Sequence, residues 1–343
     1  MGLEQQHKPV TDIRGETGEN AHSKGDVSAS LPARIETFFA GSPREIRGGL
    51  IAIGNFDGVH RGHQHIFHEL VRQARAARVP AIVLTFDPLP IAVLAPSKAP
   101  QLITLPEVKG RLIMGLGVDA IVVFQTDAEL LNLTAEEFFQ KVLVEHFQAR
   151  GFVEGSNFCF GKARRGNVAV LKSLSEHSGQ TLTVVESVAE QIGSEAVVIS
   201  SSRVREAISK GEMRSVAQML GRPHQSLGIV ETGAGRGRTI GFPTANMGQI
   251  ATILPPNGVY AGRCHWQGQA HTAAVHIGPN LTFGEADRKV ELHLLDFTGD
   301  LYGEPLRLDW LERIRGTVKF SSVEQLREQL NADIAAVREA VEK

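Results

Sequence analysis

The run Gly54-Asn55-Phe56-Asp57-Gly58-Val59-His60-Arg61-Gly62-His63-Gln64 decides the fold class of the first half of this chain. It directly follows the apolar run Leu50–Ile53 and directly precedes an amphipathic segment. A short apolar strand that turns at once into a helix is typical of the start of a βαβ unit. The run is therefore predicted to be a strand-to-helix turn in an α/β domain, and its glycines and histidines favour phosphate as the ligand.

The residue types in this turn fit phosphate chemistry. Gly58 and Gly62 lack side chains, so a phosphate could approach the backbone closely, and the amides that open the following helix carry a partial positive charge. His60 and His63 can each donate a hydrogen bond to an oxygen that gains charge during the reaction, so they are predicted to be catalytic. The other predicted nucleotide-binding residues of the turn are Gly54, Phe56 and Asp57.

Two alternatives apply to these histidines. They could be ordinary surface residues, although the strand-turn-helix context argues against this. They could also bind a metal, since His60, His63, His65 and His68 are crowded together. No cysteine lies nearby and the first turn of the helix has no acidic residue, so phosphate is the preferred interpretation.

The bulk composition favours a two-domain enzyme that acts on small molecules. A chain of 343 residues is long for one compact domain, and a hydrophobic fraction of 42% can form two cores. The net charge of -2 gives no basic field, which argues against a nucleic-acid partner. The two cysteines, Cys159 and Cys264, are far apart, so we expect no disulfide framework and a reducing cytoplasm.

Residues 1–33 are polar, lack an apolar core and are predicted to be a disordered tail, neither a secretory signal nor a membrane span. Residues 34–221 are predicted to form a doubly wound, Rossmann-like parallel sheet with ligands at the carboxyl ends of its strands. The predicted strands after the first are 81–86, 120–124, 151–154, 182–185 and 197–199, and the predicted helices are 62–77, 107–116, one capped by Thr134 and Glu137, and stretches within 203–220.

Residues 222–343 have a different character. Short strand-like runs, at 228–231, 258–264, 272–277 and 290–297, are separated by Gly, Pro and Asn turns. Such spacing predicts a small antiparallel β-barrel. Apolar residues at helical spacing over 323–341 predict a C-terminal helix packed against it.

Two further polar clusters follow strands of the first half. The loop with Lys162, Arg164 and Arg165 could clamp phosphates or could be a solvated basic surface, and both interpretations stay open. In the second cluster Ser201, Ser202 and Arg205 lie between a strand and a helix. Ser201 could simply cap that helix, a role compatible with phosphate binding, and the guanidinium of Arg205 suits phosphate oxygens.

These motifs resemble the adenylyltransferase half of the prokaryotic-type bifunctional riboflavin kinase/FAD synthetase family. The resemblance implies that His60 and His63 bind and polarise the ATP phosphates, and that Ser201, Ser202 and Arg205 match a further family motif. Asn157 matches a catalytic Asn/Asp position of the family. The implied reaction is attack by the phosphate of FMN on the α-phosphorus of ATP with loss of pyrophosphate, without a covalent enzyme intermediate.

The second half resembles the riboflavin kinase module of the same family through the run 235–246, GRGRTIGFPTAN. Glycines around a phosphate-sized loop are followed by Thr244 and Asn246, whose hydroxyl and amide oxygens lie two residues apart on an extended segment and suit Mg²⁺. A bare glycine-rich hairpin is the alternative for the glycines alone. The predicted nucleotide- and phosphate-binding residues of this run are Gly237, Arg238, Thr239 and Gly241.

The resemblance also assigns roles downstream. Glu291 is implied to be the carboxylate that accepts the proton of the ribityl 5′-hydroxyl as that oxygen attacks the γ-phosphorus of ATP. Without the upstream motif, Glu291 would be a solvent-facing strand residue. Arg315 is a candidate beside the flavin. The implied substrates and products are riboflavin, FMN, FAD and ATP, with Mg²⁺ as cofactor and no nucleic-acid or membrane partner.

Two departures from the family pattern stand out. Leu89 replaces a frequent His in the 86–90 stretch, which removes one hydrogen-bond donor, and Leu281 replaces a frequent Pro. The first departure suggests an alternative, a riboflavin kinase whose adenylyltransferase half has decayed. A more distant alternative, a flavin-sensing regulator that binds nucleic acid, rests only on Arg236, Arg238 and Arg263, and the acidic balance counts against it.

Overall fold

The computed structural model describes residues 35–39, 46–192, 195–233, 237, 240–279 and 287–342. The strands of the first half are β1 (Ile35–Phe39), β2 (Leu50–Ile53), β3 (Ala81–Asp87), β4 (Ala120–Gln125), β5 (Gly151–Gly155), β6 (Cys159–Phe160), β7 (Gly166–Asn167), β8 (Thr181–Val185), β9 (Ala189–Ile192) and β10 (Glu195–Val198). Its helices are α1 (Arg61–Ala77), α2 (Pro90–Leu94), α3 (Pro106–Met114), α4 (Ala128–Asn132), α5 (Ala135–Glu137), α6 (Val168–Ser178), α7 (Ser201–Lys210) and α8 (Met213–Leu220). A π-helical segment, Phe138–His146, continues α5, and short 3₁₀ turns lie at Pro96–Lys98 and Lys162–Arg164.

The main sheet of the first half has six strands in the order β1-β4-β3-β2-β5-β8. Strands β2, β3, β4, β5 and β8 pair in parallel, which confirms the predicted doubly wound sheet. The edge strand β1 was not predicted, and it pairs antiparallel with β4. The predicted tail, residues 1–33, lies outside the described residues.

Helices cover both faces of this sheet, and β2 shows how the sequence specifies that arrangement. Leu50 and Ala52 belong to the core cluster that includes Phe67 of α1. Ile51 and Ile53 belong to the cluster on the other face, which includes Phe139. Side chains alternate between the two faces of a strand, so a strand that is apolar at every position is buried on both sides.

One prediction about this half needs correction, and another is confirmed. The predicted strand 197–199 does not join the main sheet, because β10 pairs antiparallel with β9 in a separate two-stranded sheet. Only two residues separate β9 from β10, a length that joins antiparallel neighbours, whereas a parallel partner needs a long crossover. The helical stretches predicted within 203–220 are confirmed as two helices, α7 and α8, and Gly211 ends α7 with a left-handed conformation.

The second half is a closed antiparallel barrel, as predicted. Its strands are β11 (His224–Glu231), β12 (Ala245–Gly248), β13 (Gly258–Trp266), β14 (Gln269–Gly278), β15 (Lys289–Leu294) and β16 (Pro305–Arg315), in the order β11-β12-β15-β14-β13-β16. Met247, Val275, Leu292 and Trp310 belong to its buried core. Strand β15 ends at Leu294 and not at residue 297 as predicted, because the chain turns at residues 295–296.

The C-terminal helix, Val323–Glu342, packs against the outside of the barrel. Val337 is fully buried in a small cluster with Ala261 and Leu295. This packing confirms the predicted C-terminal helix.

Helices α7 and α8 pack against the barrel, so the two halves share a core. Val204, Ile208 and Val216 lie in the same buried cluster as Tyr260 and Trp310. A loop of the first half also reaches the barrel half, where the backbone N–H of Ile253 donates to the carbonyl of Leu102 at an N···O distance of 2.8 Å. The predicted domain boundary after residue 221 stays a prediction, because side chains from both sides of this residue lie in one buried core.

Candidate active sites

The glycine- and histidine-rich turn lies between β2 and α1, at the carboxyl edge of the main sheet. His60 is the N-cap of α1, and its Nδ1 accepts the backbone N–H of His63 at 3.3 Å. The two imidazole rings stack with centroids 3.5 Å apart. Phe56 meets the ring of His63 edge-on at 5.2 Å. One helix start therefore holds both predicted catalytic histidines in one place.

The backbone of this turn is strained. Phe56 and Val59 adopt positive φ angles of 46° and 43°, which are rare for residues with a side chain and especially for a β-branched one. Such outliers concentrate at functional sites. Space at Gly62 is tight, because a Cβ there would lie 3.2 Å from two ring atoms of His60 and the ring would have to shift slightly.

Both histidines are held neutral. Burial lowers the pKa of His60 to about 4, and burial together with the neighbouring His60 places the pKa of His63 well below its usual value. Since Nδ1 of His60 accepts a hydrogen bond, the proton of the neutral ring is on Nε2, which is then a donor. Nδ1 of His63 is buried and has no hydrogen-bond partner among the described residues.

Asp57 joins the turn to the serine motif. Its buried carboxylate accepts the backbone N–H groups of Ile103 and Thr104 and forms an ion pair with Arg205. The hydroxyl of Ser201 donates to the backbone carbonyl of Asp57 at 2.8 Å. Residues that are distant in sequence therefore meet beside the histidine turn, although the strand before the serine motif, β10, is not part of the parallel sheet.

The structure changes the roles within the serine motif. Ser200, and not Ser201, caps α7, since its Oγ accepts the backbone N–H of Arg203. Ser202 lies exposed in the first turn of α7. Arg205 already uses Nη2 for Asp57 and Nε for the carbonyl of Gln101, so Nη1 is the part of its guanidinium left for phosphate.

Asn157 is exposed in the turn after β5, the strand next to β2 in the sheet. Its predicted role stays a prediction. Lys162, Arg164 and Arg165 are also exposed, and the ion pairs found among the described residues include none of them. The phosphate clamp and the solvated basic surface both remain open for this loop.

The barrel presents a row of polar side chains across neighbouring strands. Cα pairing places Glu231 of β11 opposite Asn246 of β12, Asn246 opposite Glu291 of β15, and Glu291 opposite His276 of β14. Nδ1 of His276 lies 3.5 Å from a carboxylate oxygen of Glu291. The residues that alternate with this row, such as Met247 and Leu292, point into the barrel core, so the row is on the outer face.

The chain just before Asn246 is fixed against this row. Nδ1 of His293 donates to the carbonyl of Pro243 at 2.7 Å. The backbone N–H of Phe242 donates to the carbonyl of Gly237 at 2.8 Å. A Cβ at Gly237 would overlap the carbonyl oxygen of Phe242 and approach the hydroxyl of Thr244 to 3.2 Å. Gly241 has a positive φ in the same turn. The predicted residues Arg238 and Thr239, and the departure at Leu281, lie outside the described residues.

The oxygen atoms of this row and of Thr244 are suitable ligands for a Mg²⁺ ion that also binds the phosphates of a nucleotide. No group of three or more His, Cys, Asp or Glu side chains that could hold a metal occurs in the part of the chain that the structure describes. Hydroxyl, amide and carboxylate oxygens from Thr244, Asn246 and Glu291 are hard ligands, and Mg²⁺ commonly combines one or two of these with phosphate oxygens and water.

Arg315, the predicted residue beside the flavin, makes a different contact. Its Nε and Nη2 bond to the two carboxylate oxygens of Asp333 at 2.8 and 2.6 Å. Its guanidinium thus connects β16 to the C-terminal helix. A contact with the flavin stays a prediction and would have to use the remaining nitrogen, which here bonds to the carbonyl of Gly316.

Three charged or polar residues at these sites were not predicted from the sequence: Lys109, Arg222 and His276. Lys109 had a detectable signal, because it shares a helix face with the apolar Leu112 and Ile113. Arg222 directly follows the Gly that ends α8 and reads as a loop residue. His276 occupies an outward position of a strand, where a polar residue is expected.

A Rossmann-like domain with paired histidines at a helix start, joined to a closed barrel with a polar row on its outer face, is the architecture of a nucleotide-dependent transferase. Residues 42–203 match the FAD synthetase family, and residues 220–341 match the riboflavin kinase family. The bifunctional riboflavin kinase/FMN adenylyltransferase of Escherichia coli strain K12 is 33% identical over 87% of this chain and 94% of that protein. That of Bacillus subtilis strain 168 is 34% identical over 83% and 90%. The chain belongs to the bifunctional riboflavin kinase/FMN adenylyltransferase family.

A solved structure supports the same fold. It is described as a macrolide-efflux protein from Streptococcus pneumoniae, is 33% identical to this chain, and superimposes with a TM-score of 0.76 over 87% of this chain and 95% of that one. Among the described residues of this chain, none of the helices has the length and apolar character needed to cross a membrane.

Proposed function

We propose that this chain makes FMN from riboflavin in the barrel and FAD from FMN in the α/β half, with ATP as the phosphoryl and adenylyl donor. The observation that carries the proposal is the presence of two separate phosphate-directed sites, the His60–His63 turn in one half and the Asn246–Glu291 row in the other. Each site lies within the segment that matches the corresponding family.

In the barrel, Glu291 is the proposed general base. Its carboxylate accepts the proton of the ribityl hydroxyl, and the resulting oxygen nucleophile attacks the γ-phosphorus of ATP. His276 lies close enough to orient this carboxylate. Thr244 and Asn246 would hold Mg²⁺, which when bound neutralises charge on the phosphates. Phosphoryl transfer needs mainly positioning and charge stabilisation, which this fixed row of strand residues supplies.

In the α/β half, the nucleophile is the phosphate of FMN and the leaving group is pyrophosphate. The neutral ring of His60 offers Nε2–H to the phosphate oxygens, and the amides that open α1 add their partial positive charge. Because His60 and His63 have lowered pKa values, they act as neutral donors and not as fixed cations near neutral pH. Ser201, Ser202 and Asn157 are proposed to bind the nucleotide from neighbouring loops.

The alternative of a kinase with a decayed adenylyltransferase half rested on Leu89. Leu89 is buried where the family often has a histidine, and it caps α2 without a side-chain hydrogen bond. The match of residues 42–203 to the FAD synthetase family and the intact turn favour the bifunctional protein. Incubation with FMN and MgATP, followed by chromatography for FAD, distinguishes the two.

Two single substitutions test the division of labour. Glu291→Gln should lower conversion of riboflavin to FMN by about a hundredfold or more and leave conversion of FMN to FAD unchanged, because it removes only the general base of the barrel. His63→Ala should have the reverse effect, since it removes a donor from the adenylyl-transfer site. Both rates are measured on the same preparations by chromatography. A folded variant that loses both activities would contradict the assignment of one reaction to each half.

A further inference from the structure

A buried lysine lies behind the histidine turn. Lys109 is on the first turn of α3 and only 6% of it is exposed. Its Nζ donates to the hydroxyl of Thr85 at 3.0 Å and to the backbone carbonyl of Asn55 at 3.3 Å. Asn55 belongs to the turn and Thr85 to β3, so the ammonium lies at the carboxyl edge where two adjacent strands end.

The local contacts of Lys109 leave its charge incompletely compensated. The two acceptors of its Nζ, the Thr85 hydroxyl and the Asn55 carbonyl, are both uncharged, so neither of these contacts supplies a counter-charge. Asp57 and Asp87 are the carboxylates whose charges act on it, and Asp57 already forms an ion pair with Arg205. Burial is the largest influence and lowers the pKa of Lys109. Lysines are rarely buried unless paired, because removing a charge from water is unfavourable.

An anion that arrives with the substrate would compensate this charge. The charge of Lys109 also contributes to the lowered pKa of His63, so the two groups act on the same space. We propose that Lys109 is a further catalytic residue of adenylyl transfer, whose ammonium stabilises the negative charge that develops on the pyrophosphate leaving group of ATP. This inference rests on the proposed adenylyltransferase function of the α/β half.

The test compares variants of the full-length chain, with riboflavin phosphorylation in the barrel as the internal measure of folding. Lys109→Met keeps most of the side-chain volume and removes the charge. It should lower FAD formation by about a hundredfold, and inorganic pyrophosphate should inhibit its residual activity about tenfold more weakly than it inhibits the wild type. FMN formation from riboflavin should stay unchanged.

Two control variants separate charge from structure. Thr85→Val removes one hydrogen-bond acceptor of Lys109 but keeps the ammonium, so inhibition by pyrophosphate should stay near the wild-type value. Lys172→Met removes a lysine of the same half that is mostly exposed, and it should change neither reaction. If Thr85→Val weakens pyrophosphate inhibition as much as Lys109→Met does, Lys109 only supports the turn and the inference is wrong.

The remaining outcomes are also decisive. If Lys109→Met makes FAD within about twofold of the wild-type rate, the inference about Lys109 is wrong but the proposed function is not affected. If the wild-type chain makes no FAD, the proposed function itself is wrong. If Lys109→Met loses both activities, the charge-preserving Lys109→Arg is used. Pyrophosphate inhibition retained in that variant supports the inference, and its loss with the kinase reaction intact contradicts it.

Discussion

Two buried histidines, His60 and His224, make the stability of the fold depend on pH. Burial lowers the pKa of His60 and His224 to about 4 from an ordinary value of 6.5. His224 bonds through Nε2 to the carbonyl of Ile253 at 2.8 Å, and its Nδ1 is buried without a partner among the described residues. The neutral form that suits His60 for hydrogen-bond donation therefore makes folding sensitive to acid.

The sign of the pH dependence follows from these lowered pKa values. The stability that the two neutral histidines contribute is fully present above about pH 6.5. It is lost as the pH falls toward 4, because the histidines of the unfolded chain take up protons first. Each histidine accounts for about 3 kcal/mol of the free energy of unfolding over that range. Glu154 acts in the opposite direction, since burial raises the pKa of its carboxyl group and favours the folded state at lower pH.

His224→Gln tests this prediction. Chemical denaturation at a series of pH values between about 7 and 5 should show a smaller loss of stability in the variant than in the wild type, because one titrating group is gone. His177→Gln is the matched control, as His177 is exposed on α6. The prediction fails if the wild type and His224→Gln lose equal stability over this range.

Among the secondary-structure elements, the C-terminal helix depends on one buried ion pair. Arg315 on β16 binds both carboxylate oxygens of Asp333, and only 3% of the Asp333 side chain is exposed. The same carboxylate accepts the side chain of Gln329 at 2.9 Å. This bidentate geometry fixes the helix on the barrel more specifically than its apolar contacts alone, because two parallel hydrogen bonds also set the angle.

Asp333→Asn should lower the free energy of unfolding by about 3 kcal/mol, since it leaves the guanidinium of Arg315 partly buried without its counter-ion. Thermal denaturation of the variant measures this loss. Arg338→Met removes the exposed pair between the same helix and Asp296, and it should cost less than about 1 kcal/mol. Equal destabilisation by the two variants would show that the buried pair has no special role.

In the whole molecule, Arg222, just before the first barrel strand, bonds to the histidine turn, the proposed adenylyl-transfer site. Its Nη2 donates to the carbonyl of Gly58 at 2.7 Å, and its Nη1 donates to those of Val59 and Leu220 at 3.4 and 3.2 Å. Burial lowers its pKa to about 10, so it stays charged near neutral pH. The strained histidine turn is therefore held partly by a residue that precedes the first barrel strand.

Arg222→Met should lower FAD formation by about tenfold or more, because the carbonyls of the turn lose their donors and the turn relaxes. FMN formation should change little, since the row around Glu291 is untouched. Arg214→Met is the matched control, because the partly exposed Arg214 bonds to Glu312 across the same boundary at 2.5 Å. Arg222→Met that makes FAD at the wild-type rate would show that the turn is stable without this support.

Much of the fold was predictable because its signals are local. The apolar run before Gly54 and the helical periodicity after it identified the βαβ start, and the spaced short runs after residue 222 identified the barrel. The predicted strand at 197–199 was placed in the wrong sheet, because a short apolar run specifies a strand but not its partner. The π-helical segment after α5 had no signal beyond helical periodicity and the capping box at Thr134, which the structure confirms.

Sequence alone was enough to identify the fold class of each half and to locate the two glycine-rich motifs, since glycine spacing, apolar periodicity and turn residues act over a few positions. Only the tertiary structure decided which side chains meet: Arg205 with Asp57, Glu291 with His276, and Lys109 and Arg222 with the histidine turn. These partners lie on different elements, and contacts between distant positions leave no periodic pattern in a single chain. Their burial, which sets the pKa values of the histidines and the charge environment of Lys109, likewise exists only once the two halves are packed.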